Sequence, residues 1–450
     1  MTAEDLAAKY CAPVPRYTSY PTAPHFSESV NERSYRHWLQ QADRTRPVSL
    51  YVHIPYCDKL CWFCGCHTKH TTKYDPIRSY LATLRREIEL VRDALGFAPE
   101  VARIHLGGGS PSLLKSEDLA ALRQAIDDNF LLKADAEISI EIDPCDATAD
   151  LYGGLLQLGV TRASIGVQDF DEEVQRAINR PQSFAITSDV LNALRGIGIE
   201  SVNIDALYGL PHQTSGRLAK TIEKAASLDP DRIALFGYAH VPWMKKHQKL
   251  IDESCLPGVM ERFRQARLAE RLLVDAGYDA IGIDHFAKPE DKLAVAAASG
   301  KLHRNFQGYT EDDCETLIGL GASSIGRTRF GFVQNIPASG QYSAQVNEGR
   351  LPIARGLVLG DDDIVRGKFI ERLMCDFRVD LAAFRKEIGP DAALVLQEAE
   401  LTARNETDGL CRLENSYFII PFEARPFVRT VASRFDAYMK QGTARYSIAV

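Results

Sequence analysis

The chain has 450 residues, 45% of them hydrophobic and 25% charged, with a formal net charge of −7. That is enough apolar material for a sizeable core, and the length suits two or three structural units better than one. The acidic balance lacks the basic excess that neutralises phosphates, so neither nucleic acid nor an anionic membrane surface is an expected partner.

The opening "MTAEDLAAKYCAPVPRY" has no basic region followed by an apolar stretch, and no later run approaches the length of a membrane span. A reducing, cytoplasmic location is expected, and clustered cysteines there serve as metal ligands or catalysts rather than as disulfides. The stretch "CAPVPRYTSYPTAPHF" carries no helical period and reads as an extended arm, which with a first helix fills residues 1–46. From "VSLYVHI" (residues 48–54) onward, short β-rich runs alternate with amphipathic helical patterns. The later strands are "ARIHL", "EISIEI", "RASIGV", "ESVNIDALYG", "RIALFGY" and "YDAIGID". Between the first two, "PIRSYLATLRREIELVRDAL" puts Ile77, Tyr80, Leu81, Leu84, Ile88, Val91 and Leu95 on one helical face, with proline near its start. "SEDLAALRQAIDDNF" opens on Ser116 as its expected N-cap. Six or seven such units predict an α/β fold with a complete or partial (β/α) barrel over residues 47–290; a doubly wound open sheet is the alternative. Beyond residue 290 the rhythm changes. "DDDIVRGKFIERLMCDF" and "DAALVLQEAELTAR" read as helices, "GLCRLENSYFIIP" as a hairpin and "FEARPFVRTVASRFDAYM" as a closing helix. Residues 291–450 are thus expected to form a mostly helical module with a winged hairpin, whose acidic setting favours packing or substrate covering over DNA binding.

Four of the ten cysteines fall within ten positions, in "YVHIPYCDKLCWFCGC". Cys57, Cys61 and Cys64 form C-x3-C-x2-C directly after the first strand, and Cys66 follows. Three thiolates so spaced can take three corners of an iron–sulfur cubane and leave the fourth iron open to another ligand. A zinc knuckle, with His53, His67 and His70 as further donors, is the alternative; zinc sites more often come as two spaced pairs. Other candidates lie where strands would stop: Gly107 to Gly109 after "ARIHL", Glu141, Gln168, Asp205, and Ala239 after "RIALFGY". In a β/α barrel those ends converge on one mouth.

The cysteine loop resembles that of the radical S-adenosylmethionine enzymes, and the fuller pattern resembles the oxygen-independent coproporphyrinogen III oxidases. "PRYTSYPTA", "LGGGSPS", "EIDP", "GVQDF", "INRPQ", "NIDALYGLP", "YAHVP", "GLGASSIG" and "RLMCDFRVDL" extend the likeness over nearly the whole chain. The resemblance implies a 4Fe-4S cluster on Cys57, Cys61 and Cys64, with S-adenosylmethionine chelating the remaining iron. It implies contacts to that first cofactor from Tyr51, Gly108, Glu141 and Ile325, the last lying beyond the barrel. Around a second S-adenosylmethionine it implies Phe63, Gly109, Ser110, Gln168, Arg180, Asp205 and Ala239, with Ser110 standing where relatives usually have threonine. His53 matches a position needed for activity, and Cys66 a non-ligand needed near the cluster. The implied reaction converts two propionates of coproporphyrinogen III to vinyl groups, giving protoporphyrinogen IX, through a 5′-deoxyadenosyl radical. It requires a low-potential electron donor and an electron acceptor, and a monomer is expected. Arg16, Arg327 and Arg329 are candidates for binding the propionates. A haem carrier of the same superfamily is the rival reading, although such carriers typically lack the second cysteine of "CGC".

Overall fold

The computed structural model describes residues 3–439. Its main sheet has twelve strands: β1 (Val48–Ile54), β2 (Glu100–Gly108), β3 (Leu131–Ile142), β4 (Arg162–Gln168), β5 (Ser201–Tyr208), β6 (Arg232–Gly237), β7 (Asp279–Ile281), β8 (His285–Ala287), β9 (Thr316–Leu320), β10 (Ile325–Thr328), β11 (Gly331–Asn335) and β12 (Ile353–Val358). Their spatial order is β12-β11-β10-β9-β1-β2-β3-β4-β5-β6-β8-β7. Strands β1 to β6 run parallel, and β9 joins them parallel to β1. The β7–β8 hairpin and strands β10 to β12 pair antiparallel at the two flanks.

Alternation along each strand divides apolar from polar. Leu50, Val52 and Ile54 of β1 are buried in the core beneath the outer helices, while Ser49, Tyr51 and His53 take the opposite face. Register carries that division across the sheet, pairing Ser49 with Arg103, Tyr51 with His105 and His53 with Gly107, then His105 with Ser139. The polar face lines a cavity of about 970 Å³, partly open to solvent, to which β1 contributes Ser49, β5 Asp205, the far hairpin His285, and the 303–312 segment Tyr309 and Asp312. Strands remote in the sheet share one interior, so the sheet curls into a partial barrel, and residues 303–312 bridge its gap.

The floor of this cavity is ionic. Arg103 meets Glu137 at 3.1 Å and Glu311 at 3.4 Å; Arg232, only 2% exposed, meets Asp291 at 2.6 Å and Glu311 at 3.4 Å. The outer helices include Asp75–Leu95, whose apolar face is buried against the sheet and whose end is closed by Gly96 in the left-handed region, φ +74°.

The C-terminal helices Asp361–Asp376, Leu381–Ile388 and Ala393–Arg404 build a second core around Phe369, Phe418 and Phe435. Leu6, Tyr17 and Tyr20 of the arm are part of that core, so the arm ties the module to the barrel. Among the described residues, no helix is long and apolar enough to cross a membrane.

Four local expectations need correction. The change of rhythm near residue 290 does not end the sheet, because β9 to β12 extend it to Val358. "YDAIGID" supplies only the short β7 on an antiparallel hairpin, not a further parallel strand. Ser116 is the first helical residue of Ser116–Asn129, and Lys115 is the N-cap; the Ser116 hydroxyl donates instead to Asp150 at 2.6 Å. The closing helix is broken: Pro426 sits within a 3-10 turn, Phe422–Phe427, before the short α-helix Val428–Ala432.

Candidate active site

The loop that follows β1 has almost no regular structure, so its backbone groups must find partners elsewhere. Side chains from distant segments provide them. Asn179 donates to the Leu60 carbonyl (2.9 Å), Gln248 to Phe63 (2.9 Å), His247 to Cys64 (2.7 Å) and Lys245 to Cys66 (3.0 Å), while the Trp62 amide donates to Ile178 (2.9 Å). The glycine loop after β2 zips onto the same entrance, with Gly109 N–H on the Ile54 carbonyl (2.8 Å) and Ser110 N–H on that of Tyr56 (2.7 Å). Substitution at Gly109 has no room, since a Cβ would lie 2.4 Å from the Tyr56 carbonyl oxygen.

Cys57, Cys61, Cys64 and Cys66 are all free thiols. Burial pushes Cys57 up to about 12 and raises Cys61, so a thiolate at either position needs a cation beside it. Hydrogen bonding from Cys66 brings Cys64 down to about 7, and the Cys66 amide lies 3.3 Å from its sulfur. Arg180 reaches Cys61 Sγ at 3.5 Å. Three thiols on one loop, with donors and a guanidinium turned toward their sulfurs, form a donor set that fits a cationic iron–sulfur group.

Beside the loop stands a wall made by β1, β2, β3 and β10. His53 Nε2 donates to the His67 carbonyl (2.9 Å), which leaves Nδ1 to accept from the Tyr51 hydroxyl (3.0 Å). Burial lowers the His53 pKa, keeping the ring neutral. Tyr51 stacks on His105, their ring centroids 5.9 Å apart. Glu141 accepts from the Gly108 amide (3.1 Å) and faces His105 Nε2 (3.4 Å). Burial alone would raise the Glu141 pKa, but His105 and that amide outweigh it and the carboxylate is held lowered. Gly108 has φ +117°, and a Cβ there would meet the His53 ring at 2.5 Å. Ile325 opens β10 within this same sheet, not beyond the barrel; its backbone lies 2.8 Å from where Gly319, the register partner of Tyr51, would carry a Cβ.

A second group lies across the mouth. Arg180 donates to Asp143 (2.8 Å) and to the Gly166 carbonyl (2.8 Å), while its buried Nε has no partner. Gln168 ends β4 with φ +71°, a left-handed backbone uncommon for a residue with a side chain. Asp205 accepts from Ser164 (2.8 Å) and Asn203 (2.8 Å), and burial raises its pKa. Contrary to expectation it lies three residues before the end of β5 at Tyr208, so it faces the barrel wall rather than the strand tip. Ala239 and Phe63 are linked through Gln248, which donates to both carbonyls at 3.2 and 2.9 Å. The Ser110 hydroxyl is taken by Asp146 and Ser112.

Two of the three arginines proposed for propionates are elsewhere. Because β10 runs antiparallel, it carries Arg327 away from the mouth to pair with Leu317, and Arg329 continues to the far end, over Phe330 and against the Gln41 carbonyl. Arg16 does reach the region, donating to the Gly237 carbonyl at 2.8 Å. Sequence reading missed His105, Ser164, Asn203 and His285 on the cavity wall and the Lys245–Gln248 clamp on the loop. His105, Ser164 and Asn203 had a legible signal, since each is two residues from another inward position, Arg103, Arg162 and Asp205; His285 had none. The clamp had none.

Residues 51–225 match the model of the Radical SAM superfamily. The chain is 45% identical over 438 residues to an oxygen-independent coproporphyrinogen III oxidase of Cereibacter sphaeroides (strain ATCC 17025), covering 97% of each protein. It is 40% identical over 439 residues to that of Escherichia coli (strain K12), covering 97% of this chain and 95% of the relative. The solved structure of coproporphyrinogen III oxidase (HemN) from Escherichia coli, described as a radical SAM enzyme, superposes with a TM-score of 0.89 at 38% identity, covering 94% of this chain and 97% of the other. Three thiols beside a carboxylate-lined barrel mouth, carried on a chain alike from end to end, make this protein a member of the oxygen-independent coproporphyrinogen III oxidase family of radical S-adenosylmethionine enzymes.

Proposed function

We propose that the chain converts coproporphyrinogen III to protoporphyrinogen IX without oxygen, by oxidative decarboxylation of two propionate side chains. The observation that carries this reading is the thiol triplet Cys57, Cys61 and Cys64 at the barrel mouth of a chain that matches named oxidases over 97% of its length. When bound, a reduced 4Fe-4S cluster and S-adenosylmethionine supply the electron and the 5′-deoxyadenosyl group that removes a hydrogen atom from the propionate β-carbon. The substrate then loses carbon dioxide and one further electron, leaving a vinyl group, so each event needs a low-potential donor and a separate acceptor.

The protein's own residues position and shield. Cys57, Cys61 and Cys64 hold the cluster, and Cys66 stands beside it through its contact with Cys64. Tyr51, Gly108, Glu141 and Ile325 line the place for the first S-adenosylmethionine, and the ionised Glu141 offers an acceptor for its polar groups. Phe63, Gly109, Ser110, Gln168, Arg180, Asp205 and Ala239 serve a second molecule. Arg180 connects the two, holding Cys61 with one nitrogen and Gly166 with another. Neutral His53 braces the loop through the His67 carbonyl and orients the Tyr51 hydroxyl. A curled barrel with an ionic floor keeps water and oxygen from so reactive a species. The enzyme acts as a cytoplasmic monomer in this reading.

Relatives named as oxidases favour this activity over haem carriage. The test is anaerobic reconstitution with iron and sulfide, followed by S-adenosylmethionine, a reductant and coproporphyrinogen III. Protoporphyrinogen IX and carbon dioxide are expected; 5′-deoxyadenosine without either would overturn the assignment.

A further inference from the structure

The thiol loop reaches the surface on one side: Gly65 and His67 are exposed, and Lys69–His70 pairs back onto Tyr56–Cys57 to close the loop. Residues 241–250 lie against it, fixed by the bonds of Lys245, His247 and Gln248 to the Cys66, Cys64 and Phe63 carbonyls. Together residues 57–70 and 241–250 hold five lysines, Lys59, Lys69, Lys245, Lys246 and Lys249, against one carboxylate, Asp58, in a protein whose net charge is −7. Lys59, Lys69, Lys246 and Lys249 are exposed, and none of the five is paired with a carboxylate among the described residues. Asp252 and Glu253, which follow, are turned onto Ser254 and His240. Among these charges stand three apolar side chains left in water, Trp243 at 50% exposure, Met244 at 65% and Leu250 at 59%. Exposed apolar groups rimmed by charge of one sign are what a protein interface presents.

We propose that residues 57–70 and 241–250 form the docking surface for a small acidic protein that brings electrons of low potential, one at a time, to the thiol loop. The inference rests on the activity proposed above, which needs such a donor, and names the chemistry of that partner. Charge selects the occupant: a basic patch on an acidic protein attracts an acidic surface. Hydrated lysine ammonium groups speed encounter without holding the complex long, which suits a carrier that leaves after each electron. Trp243, Met244 and Leu250 add a small, adaptable apolar contact of the size that redox encounters use. Position agrees with charge, because the segment that carries this apolar trio is bonded to the backbone of Phe63, Cys64 and Cys66. The carrier loses one electron for each S-adenosylmethionine cleaved to methionine and 5′-deoxyadenosine, the hydrogen atom coming from the substrate.

The test uses the cluster-loaded enzyme and a plant-type ferredoxin, an acidic one-electron carrier, with reduced methyl viologen as the small-molecule comparison. Oxidised ferredoxin is expected to bind in isothermal titration, at least roughly tenfold more weakly at high than at low salt. A carbodiimide is expected to join its carboxylates to Lys59, Lys69, Lys246 or Lys249 of the unmutated enzyme, read by mass spectrometry, which needs no variant to fold. The double variant Lys69→Glu, Lys249→Glu is expected to slow ferredoxin-driven 5′-deoxyadenosine formation by roughly tenfold, while the viologen-driven rate stays within about twofold. Ferredoxin that does not bind, cross-links confined to lysines elsewhere, a double variant that is unimpaired or equally impaired with both reductants, or displacement of ferredoxin by coproporphyrin III would overturn the proposal. If viologen drives decarboxylation while ferredoxin neither binds nor cross-links, the docking surface fails alone. Ferredoxin joined to these lysines in an enzyme that forms no protoporphyrinogen IX with either reductant would instead remove the proposed activity and leave the surface standing.

Discussion

At the scale of single residues, chemistry here depends on which atom each side chain has left to offer. The hydrogen bond from His53 to a carbonyl settles its tautomer, and with it the direction of the Tyr51 hydroxyl. Cys66 reaches Cys64 with its thiol and with its backbone amide, and the amide contact survives truncation of its side chain. Alanine at Cys57, Cys61 or Cys64 is therefore expected to abolish iron and sulfide loading, whereas Cys66→Ala retains the iron content of the unmutated chain, as metal analysis after anaerobic reconstitution would show. Gly108 offers a second contrast. At φ +117° and with the His53 ring in the path of a Cβ, Gly108→Ala should cost at least roughly 2 kcal/mol and displace the imidazole. Gly65→Ala, with nothing within 4 Å of the new carbon, should be close to neutral in the same urea titration.

Elements matter here for what they hold behind the site. The helix Asp75–Leu95 aims Glu87 inward at β9 to β11, where it accepts from Gly321 N–H (2.6 Å), Asn335 (2.6 Å) and the Tyr342 hydroxyl (2.7 Å). Gly321 in turn packs on the carbonyl of His53, so a helix outside the barrel fixes the end of β1. Burial outweighs those three donors and pushes Glu87 up to about 7, from an ordinary 4.5. The native state thus keeps a proton that the unfolded chain has lost in that window. Its contribution to stability is present below about 4.5 and declines as pH rises toward 7, by roughly 3 kcal/mol. Urea midpoints at several pH values should show this decline in the unmutated chain and a flatter profile in Glu87→Gln; identical slopes would contradict the assignment. The Asp75–Leu95 helix was legible from its apolar period. Its inward Glu87 was not, because a glutamate at helical spacing is indistinguishable in sequence from a solvated one.

For the molecule as a whole, the barrel is closed at the bottom by charge and at the side by a segment far along the chain. Arg232 neutralises Asp291 and Glu311 at 2% exposure, and replacing it by methionine strands Asp291 and leaves Glu311 to Arg103 alone. Arg232→Met is expected to destabilise by roughly 3–5 kcal/mol in chemical denaturation. The arm runs the other way, contributing Tyr17 and Tyr20 to the C-terminal core and Arg16 to a cleft beside β6. Cutting the chain at residue 290 would part β9 to β12 from β1, beside which β9 pairs, so the expected boundary does not mark an independent folding unit.

Sequence alone determined the features that depend on neighbours along the chain: the spacing of Cys57, Cys61 and Cys64, the succession of parallel strands, and the apolar faces of the covering helices. Covalent spacing and the periods of strand and helix are local, and they survive in a string of letters. Only the tertiary structure decided that Arg327 and Arg329 lie at the wrong end, that Lys245 to Gln248 clamp the cysteine loop, and that six arginines from the arm, a helix, a crossing segment and the C-terminal module share one cleft. Those juxtapositions follow from strand direction and from contacts between residues hundreds of positions apart, which no local pattern encodes.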